Sequence, residues 1–336
     1  MGKTKTTRMP KTYKIIFIGT PEYSVPTLEA LIADERFKVA AVITAPDAPV
    51  GRKQILTPPP VKVATQKFNL PILQPSKLCG KDVAVQRLYG ELRDIKPDAI
   101  ITIAYGQIIP PEILNIPKFG CLNLHASLLP KYRGASPIQA AVKNGDAQSG
   151  VTLMKMDEGL DTGPVIAQEK ITIANNETGE SLHDKLAKLS AQTLLKYLPD
   201  YLAGKITLQP QDDIKASLAP KLTRQNGCID WTKPAVEIER LVRAYYPWPG
   251  TWSTWDTHTL KIISVSSKIL KSAGNQPGSI FKYNEKLAVQ CGENALVIET
   301  LQLEGKKLMS AEEFLRGYGN IVGATLRAVS PTSPTK

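Results

Sequence analysis

A chain of 336 residues with a 42% apolar share is expected to fold into two domains, since it exceeds what one core usually fills. Its net charge of +11 suits a polyanionic partner such as nucleic acid, and no apolar run is long enough to span a bilayer. Four scattered cysteines without a C-x-x-C pair, and only three histidines, argue against a disulfide framework or a metal centre.

Residues 1–12, MGKTKTTRMPKT, form a basic tail without the apolar core of a secretory signal, so the cytoplasm is the expected compartment. From Tyr13 short apolar runs alternate with amphipathic segments. YKIIFIGT reads as a buried strand stopped by Gly19 and Pro21, and PTLEALIADE as a helix entered through Pro26. KVAAVITAP reads as strand, VKVATQKFN as helix, PILQP as strand and KDVAVQRLYGELRDIK as helix. PDAIITIAYG and GCLNLHASLLP follow as strands. This alternation points to an α/β fold, a doubly wound and mostly parallel sheet working at the carboxyl ends of its strands. The first turn, Gly19-Thr20-Pro21, is not G-x-G-x-x-G, which excludes a dinucleotide cradle there.

A long helix is expected over ESLHDKLAKLSAQTLLKYLPDYLA, ending at Gly204. Residues 205–226 lack a period and read as a linker. Beyond them one helix, PAVEIERLVRAYY, precedes five short strand-like runs: TWSTW, LKIISVSS, GSIFKY, KLAVQCG and ALVIETLQL. Such a series suggests a small β-barrel of OB-like type over 227–325, with a tail at 326–336.

In GCLNLHASLLPKYRGASPIQ, strand alternation puts Cys121, Asn123 and His125 on one side and Leu122, Leu124 and Ala126 on the other. A lone histidine is more often a residue satisfied by backbone hydrogen bonds than a catalyst. The neighbouring Asn123, polar in an apolar strand, weakens that preference, because a buried amide needs partners. In MDEGLDTGPV the acids Asp157, Glu158 and Asp161 sit among glycines, where most acids form turns and only some reach a site.

The segments FIGTPEYSVP, PDAPVGRKQILTPPPVK, AYGQIIP, NLHASLLPKYRGASPIQAAVKNGD, GVTLMKMDEGLDTGPV and YYPWPGTW, in this order, resemble the methionyl-tRNA formyltransferases from about Tyr13 to Gly319. The Asn-x-His and SLLP turn mark the wider formyltransferase superfamily, while the GRKQILTPPPVK loop and YYPWPGTW point to its tRNA branch. The resemblance implies a Rossmann-like formyltransferase domain over 13–204 and a barrel that binds tRNA. It further implies 10-formyltetrahydrofolate as formyl donor, initiator methionyl-tRNA as acceptor, no metal, no membrane and a monomer.

By this resemblance Asn123 would donate to the oxyanion formed when the amine attacks the formyl carbon. His125 would stabilise the same charge or shuttle a proton to the leaving folate nitrogen, and Asp161 would hold His125 and relay the amine proton through water. Ser127, Leu128, Leu129 and Pro130 would wrap the folate, with Tyr105 and Gly106 lining the wall. Arg133 and Gly134 would fix the turn. Arg52 and Lys53 would enter the acceptor end, in a loop that departs from the family's usual Gly-Arg-Gly by reading Lys53, Gln54 and Ile55. Lys221 and Arg224, with Arg240 and Arg243, would track the tRNA backbone. Trp248, Trp252 and Trp255 are expected to pack between helix and barrel. The rival within the same chemistry is formylation of a nucleotide-linked amino sugar. A folate- or RNA-binding module without turnover has no need of the convergent trio.

Overall fold

The computed structural model describes residues 12–51, 53–272 and 274–328, so most of both expected tails and Arg52 lie outside the described residues. Two compact units emerge. One comprises the chain up to Gly134 with Gly150–Ile171 and His183–Leu218; the other comprises Ala135–Ser149, Thr172–Leu182 and the chain from Ala219.

In chain order the elements are β1 (Tyr13–Gly19), α1 (Val25–Ala33), β2 (Phe37–Ile43), β3 (Ala48–Val50), β4 (Ile55–Thr57), α2 (Pro60–Gln66) and β5 (Ile72–Leu73). Then come α3 (Val83–Ile95), β6 (Ala99–Ile103), α4 (Pro111–Leu114), β7 (Cys121–His125), α5 (Pro137–Lys143), β8 (Gln148–Lys155), β9 (Val165–Thr172) and α6 (Gly179–Leu202). One seven-stranded sheet runs in the order β5-β2-β1-β6-β7-β8-β9. The pairs from β5 through β7 are parallel, and β8 joins β7 antiparallel. All five residues of β6 are buried, which is why it reads as an apolar run interrupted only by Thr102: a parallel strand covered on both faces has no solvent side to show. Ile16, Ile18, Ile43, Ile100 and Cys121 pack with Leu88 and Leu92 of α3 into one core cluster. α3 is held at its start by Asp82, whose carboxylate accepts from the Val85 N–H.

Within the expected long loop after β2, the chain instead folds a short antiparallel hairpin, β3 on β4. Its turn places Gly51 and Gln54 at positive φ, and Val50, Ile55 and Leu56 stand exposed on it. The aperiodic stretch 205–218 is bonded into the first unit rather than free: Gln209 pairs with Val165, and Leu218 lies beside Arg133. Asp212 caps the short turn Asp213–Lys215 by accepting from the Ile214 N–H.

In the second unit α7 (Ala235–Tyr245) precedes β10 (Thr251–Trp255), β11 (His258–Val265), β12 (Ile280–Tyr283), β13 (Lys286–Gln290), β14 (Ala295–Leu303), β15 (Met309–Ser310) and α8 (Ala311–Gly317). The antiparallel order is β10-β11-β14-β13-β12, with β15 on β14. The two open edges are joined by the chain's last described residues. Thr325 bridges Ser279 just before β12, and Arg327 bridges Thr254 of β10. That segment closes the small barrel, and closure removes edges that would otherwise recruit other strands.

Trp255, Leu260, Ile262, Leu287, Ile298 and Phe314 fill the barrel's core, Phe314 stacking on Tyr318 and meeting Trp255 edge-on. Phe314→Ala is expected to destabilise this unit by about 3–5 kcal/mol. All four tryptophans, residues 231, 248, 252 and 255, belong to it. Denaturant unfolding followed by tryptophan fluorescence therefore reads this unit alone, and an unmoved midpoint would remove Phe314 from the core. Among the described residues no helix is long and apolar enough to cross a membrane.

Candidate active site

β7 places Asn123 and His125 at the carboxyl end of the sheet, paired across β8 with Met154 and Thr152. Leu122 and Leu124 fill the opposite face, both buried. The loop after β8 then returns Asp161 to the same spot. Asp161 sits at φ +53°, a left-handed conformation that Asp tolerates better than most residues. Behind it the chain folds so tightly that a Cβ on Gly163 would lie 1.9 Å from the Lys155 carbonyl oxygen, so only glycine fits.

The three side chains meet. The Asn123 Nδ2 donates to Asp161 Oδ1 at 3.4 Å, and His125 Nδ1 stands 3.5 Å from Asp161 Oδ2. The Gly134 backbone N–H donates to the same Oδ2 at 2.8 Å, which fixes the carboxylate. On its far side the His125 ring donates from Nε2 to the Tyr132 carbonyl at 2.8 Å. A ring whose Nε2 carries that proton presents Nδ1 to the site, as a lone pair when neutral and as a donor when protonated. Asp157 plays a different part, accepting from the Gly159 N–H and the Thr162 hydroxyl to shape the turn, and Glu158 points to solvent.

Ser127-Leu128-Leu129-Pro130 leaves β7 as a turn bonded to its neighbours. The Thr152 hydroxyl donates to the Ser127 carbonyl at 2.6 Å and accepts from the Leu129 N–H at 3.0 Å. Gln168 donates from Nε2 to the Leu129 carbonyl at 2.8 Å and to the Thr152 hydroxyl at 2.9 Å. The Ser127 hydroxyl closes the turn on the Lys131 carbonyl. Thr152 is fully buried, so Thr152→Val keeps the volume but strands a carbonyl and an N–H. A stability loss of about 1–3 kcal/mol is expected, and thermal melts check it.

Tyr105 follows β6, its ring packed in the cluster with Leu88, Ile109 and Ile113 rather than facing outward. Its hydroxyl has no hydrogen-bond partner among the described residues, and burial pushes the phenol up to about 12. Gly106 is exposed at φ +87°. Burial also pushes the Cys121 thiol, on the same strand as Asn123 and His125, up to about 12; near neutral pH it stays protonated and a poor nucleophile.

Lys53 is exposed in the turn of the β3–β4 hairpin, and Lys221 and Arg224 are exposed in the second unit. Arg243 is engaged internally, forked onto Glu239 and donating to the Glu177 carbonyl, which makes it a structural cation. Arg240 lies against Gly145. Trp255 belongs to the barrel core, Trp252 donates to the Arg224 carbonyl, and Trp248 is exposed. Sequence reasoning passed over Thr152, Gln168 and Gln211. A hydroxyl inside the apolar run GVTLMKM was a readable signal for Thr152, since buried polar groups need partners; nothing local marked the two glutamines. Among the described residues no three His, Cys, Asp or Glu side chains are grouped to hold a metal ion.

Residues 13–198 match the formyl transferase family, and residues 221–319 match the formyl transferase C-terminal domain. The chain belongs to the formyl transferase family. Among formyl transferase relatives, the methionyl-tRNA formyltransferase of Geobacter metallireducens is 44% identical over 304 residues, 90% of this chain and 95% of its own. That of Myxococcus xanthus is 44% identical over 306 residues, 91% and 95%. The formyl transferase fold recurs in the N-formyltransferase from Helicobacter canadensis in complex with folinic acid and dTDP-3-aminofucose, at TM-score 0.63 and 19% identity over 85% of this chain and 99% of that one. It recurs too in HypX from Aquifex aeolicus in complex with tetrahydrofolic acid, at TM-score 0.58 and 17% identity over 97% of this chain and 50% of that one.

Proposed function

We infer that this chain transfers the formyl group of 10-formyltetrahydrofolate to the amino group of methionyl-initiator tRNA. The observation that carries this reading is identity of 42–44% to methionyl-tRNA formyltransferases, running through both domains and nearly the full length of each relative. The trio's geometry supports the chemistry. The bound donor supplies an activated formamide carbon, and attack by the amine puts negative charge on its oxygen.

Asn123 commits one N–H to Asp161 and keeps its second for that oxygen. The Tyr132 carbonyl holds the His125 proton on Nε2, so Nδ1 is the atom that takes the amine proton and hands it to the departing folate nitrogen. Asp161, 3.5 Å away, offsets the charge the ring acquires in between. That distance exceeds a good hydrogen bond, which leaves Nδ1 available to the substrate. Ser127 to Pro130 and Gly106 are the residues proposed to hold the folate, and Leu128, half-buried, offers it an apolar surface.

Arg52, Lys53, Lys221 and Arg224 are the proposed tRNA contacts; cations binding phosphates would make affinity fall as salt rises. A monomer acting in the cytoplasm is the proposed working form. The test is formylation of methionyl-initiator tRNA from 10-formyltetrahydrofolate, run beside elongator methionyl-tRNA and a nucleotide-linked amino sugar. Product on the initiator alone is expected. Product on the sugar alone would keep the trio and overturn the tRNA reading.

A further inference from the structure

Asp161 stands at φ +53°, a left-handed setting that Asp tolerates, and a group from beyond its own turn bonds to it there. The group that does so comes from residues 209–218, the aperiodic stretch after α6. The Gln211 Nε2 donates to the Asp161 carbonyl and to the Gly163 carbonyl, both at 2.8 Å, clamping the two ends of the tight turn. Its Oε1 accepts from Arg133 Nε at 3.1 Å and from Arg133 Nη2 at 2.9 Å. Arg133 is buried, and its Nη2 also reaches Asp213 at 2.7 Å. A guanidinium has only donors, so it forces the amide oxygen toward itself and the amide NH2 toward the two carbonyls. The orientation of Gln211 is therefore determined at both ends.

The backbone around Gln211 serves the same loops. Gln209 exchanges both hydrogen bonds with Val165, at 2.7 and 2.9 Å. Ser217 accepts at its carbonyl from the Arg133 N–H at 2.8 Å, and at its hydroxyl from the Tyr132 N–H at 2.9 Å. The loop so held carries the Tyr132 carbonyl that fixes His125 and the Gly134 N–H that fixes Asp161.

We propose that Gln211 is a positioning residue of the formyl-transfer site, bonding the Asp161 turn to the Arg133 loop so that carboxylate, imidazole and amide keep their working geometry. This rests on the reading of Asn123, His125 and Asp161 as the reacting trio. Gln211 touches no reacting atom; its effect passes through Asp161.

Gln211→Met keeps the length and removes both donor and acceptor, whereas Gln211→Glu keeps the acceptor for Arg133 and sets a carboxylate against two carbonyl oxygens. Both are expected to lower kcat roughly ten- to a hundred-fold, with KM for tRNA little changed, because misplacement of about an ångström costs on that scale. A double-mutant cycle with Asp161→Ala decides the route: once Asp161 is Ala, Gln211→Met and Gln211→Glu should slow the enzyme no further. Circular dichroism and melting temperature accompany every variant, and if Gln211→Met fails to fold, the Gln211→Glu cycle carries the test. Wild-type kcat in Gln211→Glu, or losses that multiply with that of Asp161→Ala, would overturn the proposal. Wild-type kcat in Asp161→Ala alone would instead sink the trio reading, a distinct result.

Discussion

Asp161→Asn is expected to lower kcat on the order of a thousand-fold while the protein stays folded. Both carboxylate oxygens face donors: Oδ2 accepts from the Gly134 N–H and confronts His125 Nδ1, while Oδ1 accepts from the Asn123 amide. An asparagine must turn its NH2 toward one side or the other. Turned one way it meets the Gly134 N–H, and turned the other it meets the Asn123 N–H, so a donor faces a donor in either case. The charge that offsets a protonated His125 is lost as well. A thousand-fold corresponds to about 4 kcal/mol of barrier, within reach of a lost charge in a largely buried site plus a mis-set neighbour. Backbone strain is not the cause, since Asn accepts a left-handed φ as readily as Asp. Single-turnover formylation with both substrates saturating measures the effect, and kcat within tenfold of wild type would take Asp161 out of the proton path.

How much of this was legible beforehand depended on whether a residue's partners were near in sequence. β1 and β6 are buried parallel strands, and their largely apolar runs announce them. α3 and α7 show helical spacing with a polar outer face. The β3–β4 hairpin escaped because its three-residue strands are exposed on both faces, so neither alternation nor a turn dipeptide marks them. α8 was readable and went unread: Ser310 and Glu313 form a reciprocal capping box ahead of an apolar face. Closure of the barrel by residues 325–327 has no local signature, because its partners lie about fifty and seventy residues earlier.

The site divides along the same line. Asn123 and His125 were visible as polar residues two apart in an apolar strand, a spacing that fixes a shared face. Asp161 was one of three acids in a glycine-rich loop, and only the resemblance singled it out; the structure separates it from Asp157, whose carboxylate is occupied within its own turn. The hydrogen bonds of the Gln211 side chain run to residues 48 to 78 positions away. Aperiodic sequence there meant bonding to loops, not the absence of structure.

Asn123→Ala is expected to lower kcat about a hundred- to a thousand-fold, the usual cost of one oxyanion donor, with little change in KM for either substrate. The side chain is only partly buried, and its bond to Asp161 is long at 3.4 Å, so stability should change by no more than about 1 kcal/mol. That separation between rate and stability distinguishes a donor acting in the transition state from an amide that merely fills the strand. Asn123→Asp sharpens the test. It places a second carboxylate beside Asp161, loses the donor and sets like charges together, so it should be slower than the alanine variant despite its closer shape. Were Asn123→Asp the faster of the two, Asn123 would be working through shape or hydration, and the oxyanion would need another donor. The ring Nδ1 of His125 is the group the geometry then leaves to supply it.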